Sequence, residues 1–243
     1  IPVLFKNRIR TSTIFVIEAS SYQIDYSQHF KTDYAFILNI SPDHLERHKS
    51  IQKYTHAKFK LILNQNKNSY AFVENNKYLN REIKKYKINS KIIKINQNNN
   101  KIKKIFYNDY FNSINNLQNL SFILRFAKVY KLNKSKLLKT VNLFKGLDFR
   151  QQIIYRNKFV TILNDSKSTS FSSSISLLKS YKNIFWILGG LAKKGDKFEL
   201  PSKYYKNIKG YIFGKDKNFF KKKLNNKIIT KSYDDLEIIL KKI

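Results

Sequence analysis

Phe159–Leu163 (FVTIL) followed by Asn164–Thr169 (NDSKST) is the stretch that decides the fold. A short apolar run that ends in polar residues and leads into a helical pattern predicts a strand that delivers a helix N-terminus. The peptide dipoles of such a helix favour an anion, and Lys167 adds a positive charge beside the Asp165 carboxylate. Taken alone, the hexamer is more typical of a capped surface helix.

The alternation of strands and helices continues on the C-terminal side of this stretch. The pattern predicts a helix over Phe171–Ser180, strands over Ile184–Leu188 and Tyr211–Phe213 and near Ile228, and a helix over Tyr233–Leu240. A β-α-β alternation of this kind predicts a parallel sheet. The fold class is therefore α/β, with a parallel-sheet domain in this half of the chain.

The N-terminal half has the same signature. Thr13–Glu18 and Tyr34–Ile40 are apolar runs, predicted to be buried parallel strands, that lead to Glu18 and to His44. Ligands bind at the carboxyl edge of open α/β sheets, and carboxylate and imidazole are both possible ligands of a hard cation. The alternatives are an N-cap or an ion pair for Glu18 and a turn histidine for His44.

Helical spacing begins at Ile51 and places Lys58 on the apolar side of the helix. A lysine there commonly extends to solvent, but a buried amine has a lowered pKa and becomes open to covalent modification. Further helices are predicted over Ile114–Tyr130 and Lys134–Phe144, the second closed by Gly146. Residues 67–110 predict only small strands and loops.

Composition limits the possible classes. The chain of 243 residues contains neither methionine nor cysteine, which predicts a fragment and excludes disulfides and thiolate metal sites. No run approaches the roughly 18 apolar residues of a membrane span, and a cytoplasmic, membrane-free protein is expected. The net charge of +32 raises a nucleic-acid-binding alternative without catalysis, but the lysines are spread evenly and no nucleic-acid-binding motif is present.

Several motifs together resemble those of the Mur ligases, and most closely the members that add D-glutamate to UDP-N-acetylmuramoyl-L-alanine. In chain order these are Glu18–Gln23 (EASSYQ), Leu38–His48 (LNISPDHLERH), Tyr54–Lys58 (YTHAK), Asn116–Asn119 (NLQN), Gly146–Arg150 (GLDFR), Asn164–Thr169 (NDSKST) and Gly189–Lys193 (GGLAK). The resemblance covers nearly the whole chain.

The resemblance implies a role for each matching residue. Glu18 and His44 would help to hold Mg²⁺, with a carbamylated Lys58 as a further oxygen ligand, and Lys58, His44 and Lys167 would serve catalysis. Ser20 and Gln23 would face the UDP-sugar. Three further residues would contact ATP, namely Asn119, Arg150 and Asp165. Lys167, together with Thr169 and Lys193, would line the region where the transferred phosphate meets D-glutamate. The family reaction forms an acyl phosphate that the amine of D-glutamate attacks, and the whole enzyme is expected to be a monomer.

The departures from the family pattern matter as much as the matches. The P-loop is absent, since Gly214-Lys215 has no glycine cradle before it and no Ser or Thr after it. We therefore expect residues 1–146 to be the second half of the ATPase domain and residues 147–243 an incomplete Rossmann-like, D-glutamate-binding domain. The isolated chain should be inactive as a ligase. The loop at Lys194–Phe198 is one residue longer than usual, and another Mur ligase or a folylpolyglutamate-synthase-like ligase is the nearest alternative.

Overall fold

The computed structural model describes residues 10, 12–41, 44–96, 102, 105–193 and 196–243. They belong to two compact units, of which the first ends at Ile95 and the second begins at Asn96. Within the described part of the chain, no helix combines the length and the apolar composition needed to cross a bilayer. Part of residues 67–110, for which only small strands and loops are predicted, lies outside the described residues, including 97–100.

In the described residues of the first unit, helices alternate with three strands. Its elements are α1 (Ser21–Tyr26), β1 (Tyr34–Ile37), α2 (Leu45–His48), α3 (Ile51–Leu63), β2 (Tyr70–Glu74), α4 (Lys77–Lys85) and β3 (Lys91–Ile95). The strands form one parallel sheet in the order β1-β2-β3, with Tyr34 opposite Tyr70 and Tyr70 opposite Lys91. The predicted parallel α/β class is confirmed for this unit.

One face of this sheet packs against the helices. Ala35 and Ile37 in β1 and Ala71 and Val73 in β2 meet Phe59, Ile62 and Leu79 in one core cluster, while Phe36 in β1 is exposed and Phe72 in β2 is buried. Helix α3 starts at Ile51 because the Ser50 hydroxyl accepts a hydrogen bond from the Lys53 amide at 3.2 Å. The edge strand β1 thus alternates buried and exposed residues, whereas the central strand β2 is buried on both faces, as is typical of a parallel sheet.

The predicted strand at Thr13–Glu18 is wrong. This segment forms no strand, and its apolar side chains are exposed, with Val16 at 95%. A β-branched run becomes a strand only when a neighbouring chain accepts and donates its backbone hydrogen bonds, and no described strand pairs with it. Strand β1 is also shorter than predicted, because it ends at Ile37 and not Ile40.

The second unit contains α-helices, a hairpin and a second parallel sheet. Its elements are α5 (Ile114–Val129), α6 (Lys134–Leu143), β4 (Gln152–Arg156), β5 (Thr161–Asn164), α7 (Phe171–Ser180), β6 (Ile184–Gly189), β7 (Ile208–Phe213), α8 (Lys217–Leu224), β8 (Ile229–Ser232) and α9 (Leu236–Lys242). Short 3₁₀ segments cover Asp109–Asn112 and Ser202–Asn207. Strands β6, β7 and β8 are parallel, in that order, over a core that includes Phe171, Ile212 and Leu224.

The strand predicted at Phe159–Leu163 exists as β5, but it does not join the parallel sheet. It pairs antiparallel with β4, which the sequence did not predict. Asn157 closes the connecting turn, since its side-chain oxygen accepts hydrogen bonds from the amides of Phe159 and Val160, both at 2.8 Å. A side chain that organises a short turn favours a hairpin over a crossover.

Two predicted helix boundaries also need correction. Asn164–Thr169 precedes α7 but does not form its N-terminus, because the N-cap is Ser170. The first amide of α7, that of Phe171, donates to the Asp196 carboxylate at 2.7 Å, so this protein side chain supplies the anion that the helix favours. Helix α6 ends at Leu143 with Phe144 as its C-cap, and Gly146 lies beyond it at a φ of +83°.

The domain boundary predicted at residue 146 stays a prediction. The compact units divide between Ile95 and Asn96, and hydrogen bonds within the second unit cross residue 146. The amides of Ile114 and Asn115, at the start of α5, donate to the hydroxyls of Ser180 and Ser176 in α7, at 3.2 and 3.1 Å. These bonds satisfy helix-end donors that would otherwise lack partners, which links α5 firmly to α7.

Candidate active site

A cavity of about 440 Å³ in the first unit gathers residues from separate motifs. It is lined by Glu18, Ala19, Ser20, Ser21, Gln23, His44, Tyr54 and Lys58. The structure therefore places five of the predicted site residues around one space. Their roles in metal and substrate binding stay predictions.

Lys58 enters this cavity from α3. Its side chain is half-buried, and its Nζ lies 4.9 Å from the centroid of the Tyr54 ring, one helical turn earlier. Residues four apart share a helix face, so the spacing in Tyr54–Lys58 places the ring beneath the amine. Tyr54 belongs to the Tyr54–Lys58 motif, but the sequence predicts no role for it.

His44 reaches the cavity through an uncommon backbone conformation. It has a φ of +52° directly before α2, and its ring lies 5.0 Å from Tyr22, edge to face. The Nδ1 atom is 3.6 Å from an oxygen of Glu46, which is largely exposed. A non-glycine residue with positive φ is uncommon and costs backbone strain, which the surrounding contacts offset. Pro42 and Asp43, which precede His44 in its motif, lie outside the described residues.

Ser20 and Gln23 form a capping box at the start of α1. The Ser20 hydroxyl accepts from the Gln23 amide at 3.3 Å, and the Gln23 side-chain oxygen accepts from the Ser20 amide at 2.8 Å. Each side chain keeps a donor for a ligand, because a hydroxyl that accepts still carries its proton and the carboxamide keeps its NH₂ group. These two residues can thus combine a structural and a binding role.

Ser21 and His48 form a buried contact that holds α1 in place. The Ser21 hydroxyl is 3.0 Å from His48 Nε2, both residues are buried, and the His48 ring contacts Tyr22 and Tyr54. This buried pair joins α1 to α2, and so fixes the segment that carries Ser20 and Gln23. Ser21 lies in the Glu18–Gln23 motif and His48 in the Leu38–His48 motif, so the motifs are the sequence signal for this pair.

In the second unit, both carboxylate oxygens of Asp165 accept hydrogen bonds. One oxygen accepts from the Gln151 amide at 3.0 Å, and the other accepts from the Ser168 hydroxyl at 2.7 Å. The Lys167 amide also donates to the Phe149 carbonyl at 3.1 Å, so the polar hexamer is tied to the segment that carries Arg150. Burial raises the pKa of Asp165, although these donors and the Arg150 charge oppose the rise.

This raised pKa predicts that the Asp165→Asn variant gains stability relative to the native chain as pH rises. The folded state binds the Asp165 proton more tightly than the unfolded state, so the native chain loses relative stability as pH rises from 3.8 through the raised pKa. Urea unfolding of both proteins at several pH values, followed by the fluorescence of Trp186, measures the difference. If the native chain instead gained stability relative to the variant as pH rises, burial would not be the main influence on the pKa of Asp165.

Arg150, Lys167 and Thr169 are exposed, as is Asn119 on α5. Of the pair Asn116 and Asn119, the buried Asn116 donates to the Tyr110 carbonyl at 2.8 Å, so it has a structural role. The exposed asparagine remains available to a ligand.

Two aspartates hold the loop that carries Lys193, one through its carboxylate and the other through its backbone amide. The Ala192 amide donates to Asp216 at 2.7 Å, and the Asp196 amide donates to the Lys193 carbonyl at 3.1 Å. Since Asp196 also binds the start of α7, the loop is tied to the segment that follows Thr169. Lys194 and Gly195, where the sequence predicts an altered loop, lie outside the described residues. Sequence reasoning missed both aspartates, which act over 24 and 25 residues.

No group of three or more His, Cys, Asp or Glu side chains that could hold a metal occurs among the described residues. The first cavity supplies one carboxylate, Glu18, and one imidazole, His44. Two such donors fit a divalent cation only in part, and the Lys58 ammonium is itself a cation. A carbamate on Lys58 would convert it into an anionic oxygen ligand and complete the set.

Parallel α/β units with cationic and carboxylate side chains around a cavity are typical of nucleotide-using enzymes. The family model of the Mur ligase middle domain matches residues 1–139, which is more than half of the chain. The chain therefore belongs to the Mur ligase family.

Within that family, the chain is similar to curated D-glutamate ligases. It is 30% identical over 242 residues to the UDP-N-acetylmuramoylalanine–D-glutamate ligase of Rickettsia felis, covering 92% of this chain and 54% of the relative. It is 34% identical over 213 residues to the enzyme of the same name from Francisella tularensis subsp. novicida, covering 84% and 49%. The chain thus spans about half the length of the curated relatives it matches.

A solved structure supports the fold. The MurF ligase of Thermotoga maritima, in complex with ADP, aligns with a TM-score of 0.60 at 17% identity, covering 86% of this chain and 55% of that one. At this identity the likeness shows the fold alone.

Proposed function

We propose that this chain forms part of an ATP-dependent ligase that adds D-glutamate to UDP-N-acetylmuramoyl-L-alanine in peptidoglycan synthesis. The observation that carries the proposal is the cavity around which Glu18, Ser20, Gln23, His44 and Lys58 meet. These residues come from three segments of the chain that the family motifs predict to act together. The names of the curated relatives support D-glutamate as the amino acid.

The first unit would hold Mg²⁺ and the acceptor substrate. Glu18, His44 and a carbamylated Lys58 would ligate the ion, which supplies positive charge to the oxygens of the transferred phosphoryl group. Ser20 and Gln23 would donate hydrogen bonds to the UDP-sugar through the hydroxyl and carboxamide groups that their capping box leaves available. Phosphoryl transfer depends more on positioning and charge than on a protein nucleophile.

The second unit would serve the nucleotide and the incoming amino acid. Arg150 and Asn119 are exposed and able to contact ATP, while both oxygens of Asp165 already bind protein donors. Asp165 would therefore act near the nucleotide mainly by fixing the segment that carries Arg150. Lys167, Thr169 and Lys193 would supply donors to phosphate and D-glutamate.

A ligase assay on a completed enzyme tests this proposal. The parts of the Rickettsia felis relative outside the matched region are joined to this chain, and ADP release is measured with UDP-N-acetylmuramoyl-L-alanine. We expect ADP release that requires D-glutamate and is not supported by L-glutamate. The isolated chain is expected to give none, because its sequence has no P-loop to cradle the β- and γ-phosphates.

The same assay separates the alternatives. ADP release that depends on another amino acid or on a dipeptide would assign the chain to a different ligase of the family. Release that no amino acid affects, in a folded chimera, would contradict the proposed amide-forming reaction.

A further inference from the structure

A second and larger cavity, of about 660 Å³, lies in the first unit between α1, α2, α3 and α4. We call it the basic cavity. It is lined by Asp25, Arg47, His48, Lys49, Gln52, Lys53, His56, Ala57, Arg81, Glu82, Lys85 and Tyr86. None of the residues assigned to the ligase reaction lines it, so it needs an explanation of its own.

The charge of the basic cavity is unbalanced. Five lysines and arginines face it, against the two carboxylates of Asp25 and Glu82. Both carboxylates are already engaged, Asp25 by Lys60 at 2.7 Å and Glu82 by His56 at 3.1 Å. The hydrogen bond from Lys60, helped by the nearby charges of His48 and Arg47, lowers the pKa of Asp25. The cavity cations therefore have no free carboxylate in the cavity to neutralise them.

Average composition does not account for this cluster. Only seven of the chain's 48 cationic residues are arginines, yet two of them, Arg47 and Arg81, line the cavity. Two of the four histidines, His48 and His56, line it as well. Arginine offers a rigid, planar set of donors that matches phosphate better than lysine does. The cavity thus concentrates the cationic type that is scarce in the rest of the chain.

Several of these side chains are held in place by aromatic rings. The Arg47 guanidinium lies 5.0 Å from the Tyr26 ring centroid and hydrogen-bonds the Tyr26 hydroxyl. Lys85 Nζ lies 4.9 Å from the Tyr86 ring centroid, and the His56 ring is 5.4 Å from that same ring. Cations fixed in this way lose less conformational entropy when a ligand binds.

Two other cations of the basic cavity, Lys53 and Arg81, are exposed. Neither forms an ion pair with any described residue. Unpaired cations on two helices, facing one concave space, provide charge for an anion at little desolvation cost.

We propose that the basic cavity binds a small polyanion that carries two or more adjacent phosphate groups. A long nucleic-acid backbone fits less well, because it needs an extended basic groove or stripe and not a single concavity flanked by carboxylates. This site does not depend on the proposed ligase function.

Inorganic pyrophosphate is the probe, and the imidazole resonances of the four histidines in the full 243-residue chain are the readout. His48 and His56 line the cavity, whereas His29 is an exposed reference outside it. We expect the His48 and His56 signals to shift with a saturable dependence on pyrophosphate while the His29 signal stays in place. In Lys53→Gln/Arg81→Gln, we expect binding to weaken by at least about tenfold, since two charge-assisted contacts are lost.

The matched control is Lys221→Gln/Lys222→Gln, which removes the same charge from exposed positions of α8. This variant should keep the native affinity. Shifts of all four histidines that rise linearly with pyrophosphate, or equal losses of affinity in both variants, would overturn the proposal in favour of general charge attraction. A duplex DNA oligomer that produces the same shifts more tightly than pyrophosphate would overturn it in favour of a nucleic-acid surface.

Discussion

The Gly189→Ala variant is expected to lose most of the stability of the second unit. An alanine Cβ at this position would lie 2.0 Å from the backbone oxygen of Phe213, with which Gly189 is paired across β6 and β7. A carbonyl in a parallel ladder cannot rotate away as a side chain can, so the strand ends must separate. Overpacking costs typically 1–3 kcal/mol, and we expect about 3 kcal/mol or more for this backbone clash.

Gly210→Ala is the matched control within the same sheet. Its Cβ would meet side-chain atoms, Thr230 Cγ2 at 3.1 Å and Ile228 Cδ1 at 3.2 Å, which can shift slightly. Alanine also reduces the freedom of the unfolded chain, so the net change should stay within about 1 kcal/mol. The only tryptophan, Trp186, lies in β6 and reports urea unfolding of both variants. Equal urea midpoints for the two variants would contradict the close packing at Gly189.

Lys58→Ala should reduce the activity of the completed ligase by at least about 100-fold, since even residues that only orient metal ligands contribute 10–100-fold. Formate or acetate should restore part of the activity, because a small carboxylate can occupy the place of the lost carbamate. ADP release that requires D-glutamate measures both effects.

Lys84→Ala is the control for this experiment, because Lys84 is exposed on α4 and lines neither cavity. Its activity should match that of the unsubstituted protein, with or without formate. An inactive, folded Lys58→Ala protein that no small carboxylate rescues would count against the carbamate.

Local patterns predicted the regular elements well. The helix Phe171–Ser180 has its predicted bounds, because its serine cap and apolar spacing are both local signals. Helix α4 was missed, although Asn76 caps it and Leu79 anchors it, because its apolar residues are sparse among lysines. Local sequence therefore fails where few apolar residues mark an otherwise polar helix.

Pairing between distant segments was harder to predict. Thr13–Glu18 and β5 both have the composition of strands, yet the first has no partner among the described strands and the second pairs within a hairpin. Which chain accepts a strand's hydrogen bonds depends on the tertiary structure and not on the strand's own residues. For this reason the elements were easier to predict than their arrangement.

The same distinction applies to the sites. Motif order predicted that Glu18, His44 and Lys58 act together, and the structure brings them to one cavity. No motif reveals the basic cavity or the hydrogen bond that the Ala192 amide, in the Lys193 loop, donates to Asp216, because each joins residues that are far apart in the sequence.

Carbon-13 NMR of the chain with labelled bicarbonate tests most directly whether Lys58 completes a metal site. We expect a lysine carbamate signal that strengthens when Mg²⁺ is added, is absent from Lys58→Ala and persists in Lys84→Ala. A native spectrum that matches that of Lys58→Ala, with and without Mg²⁺, would contradict the proposed site.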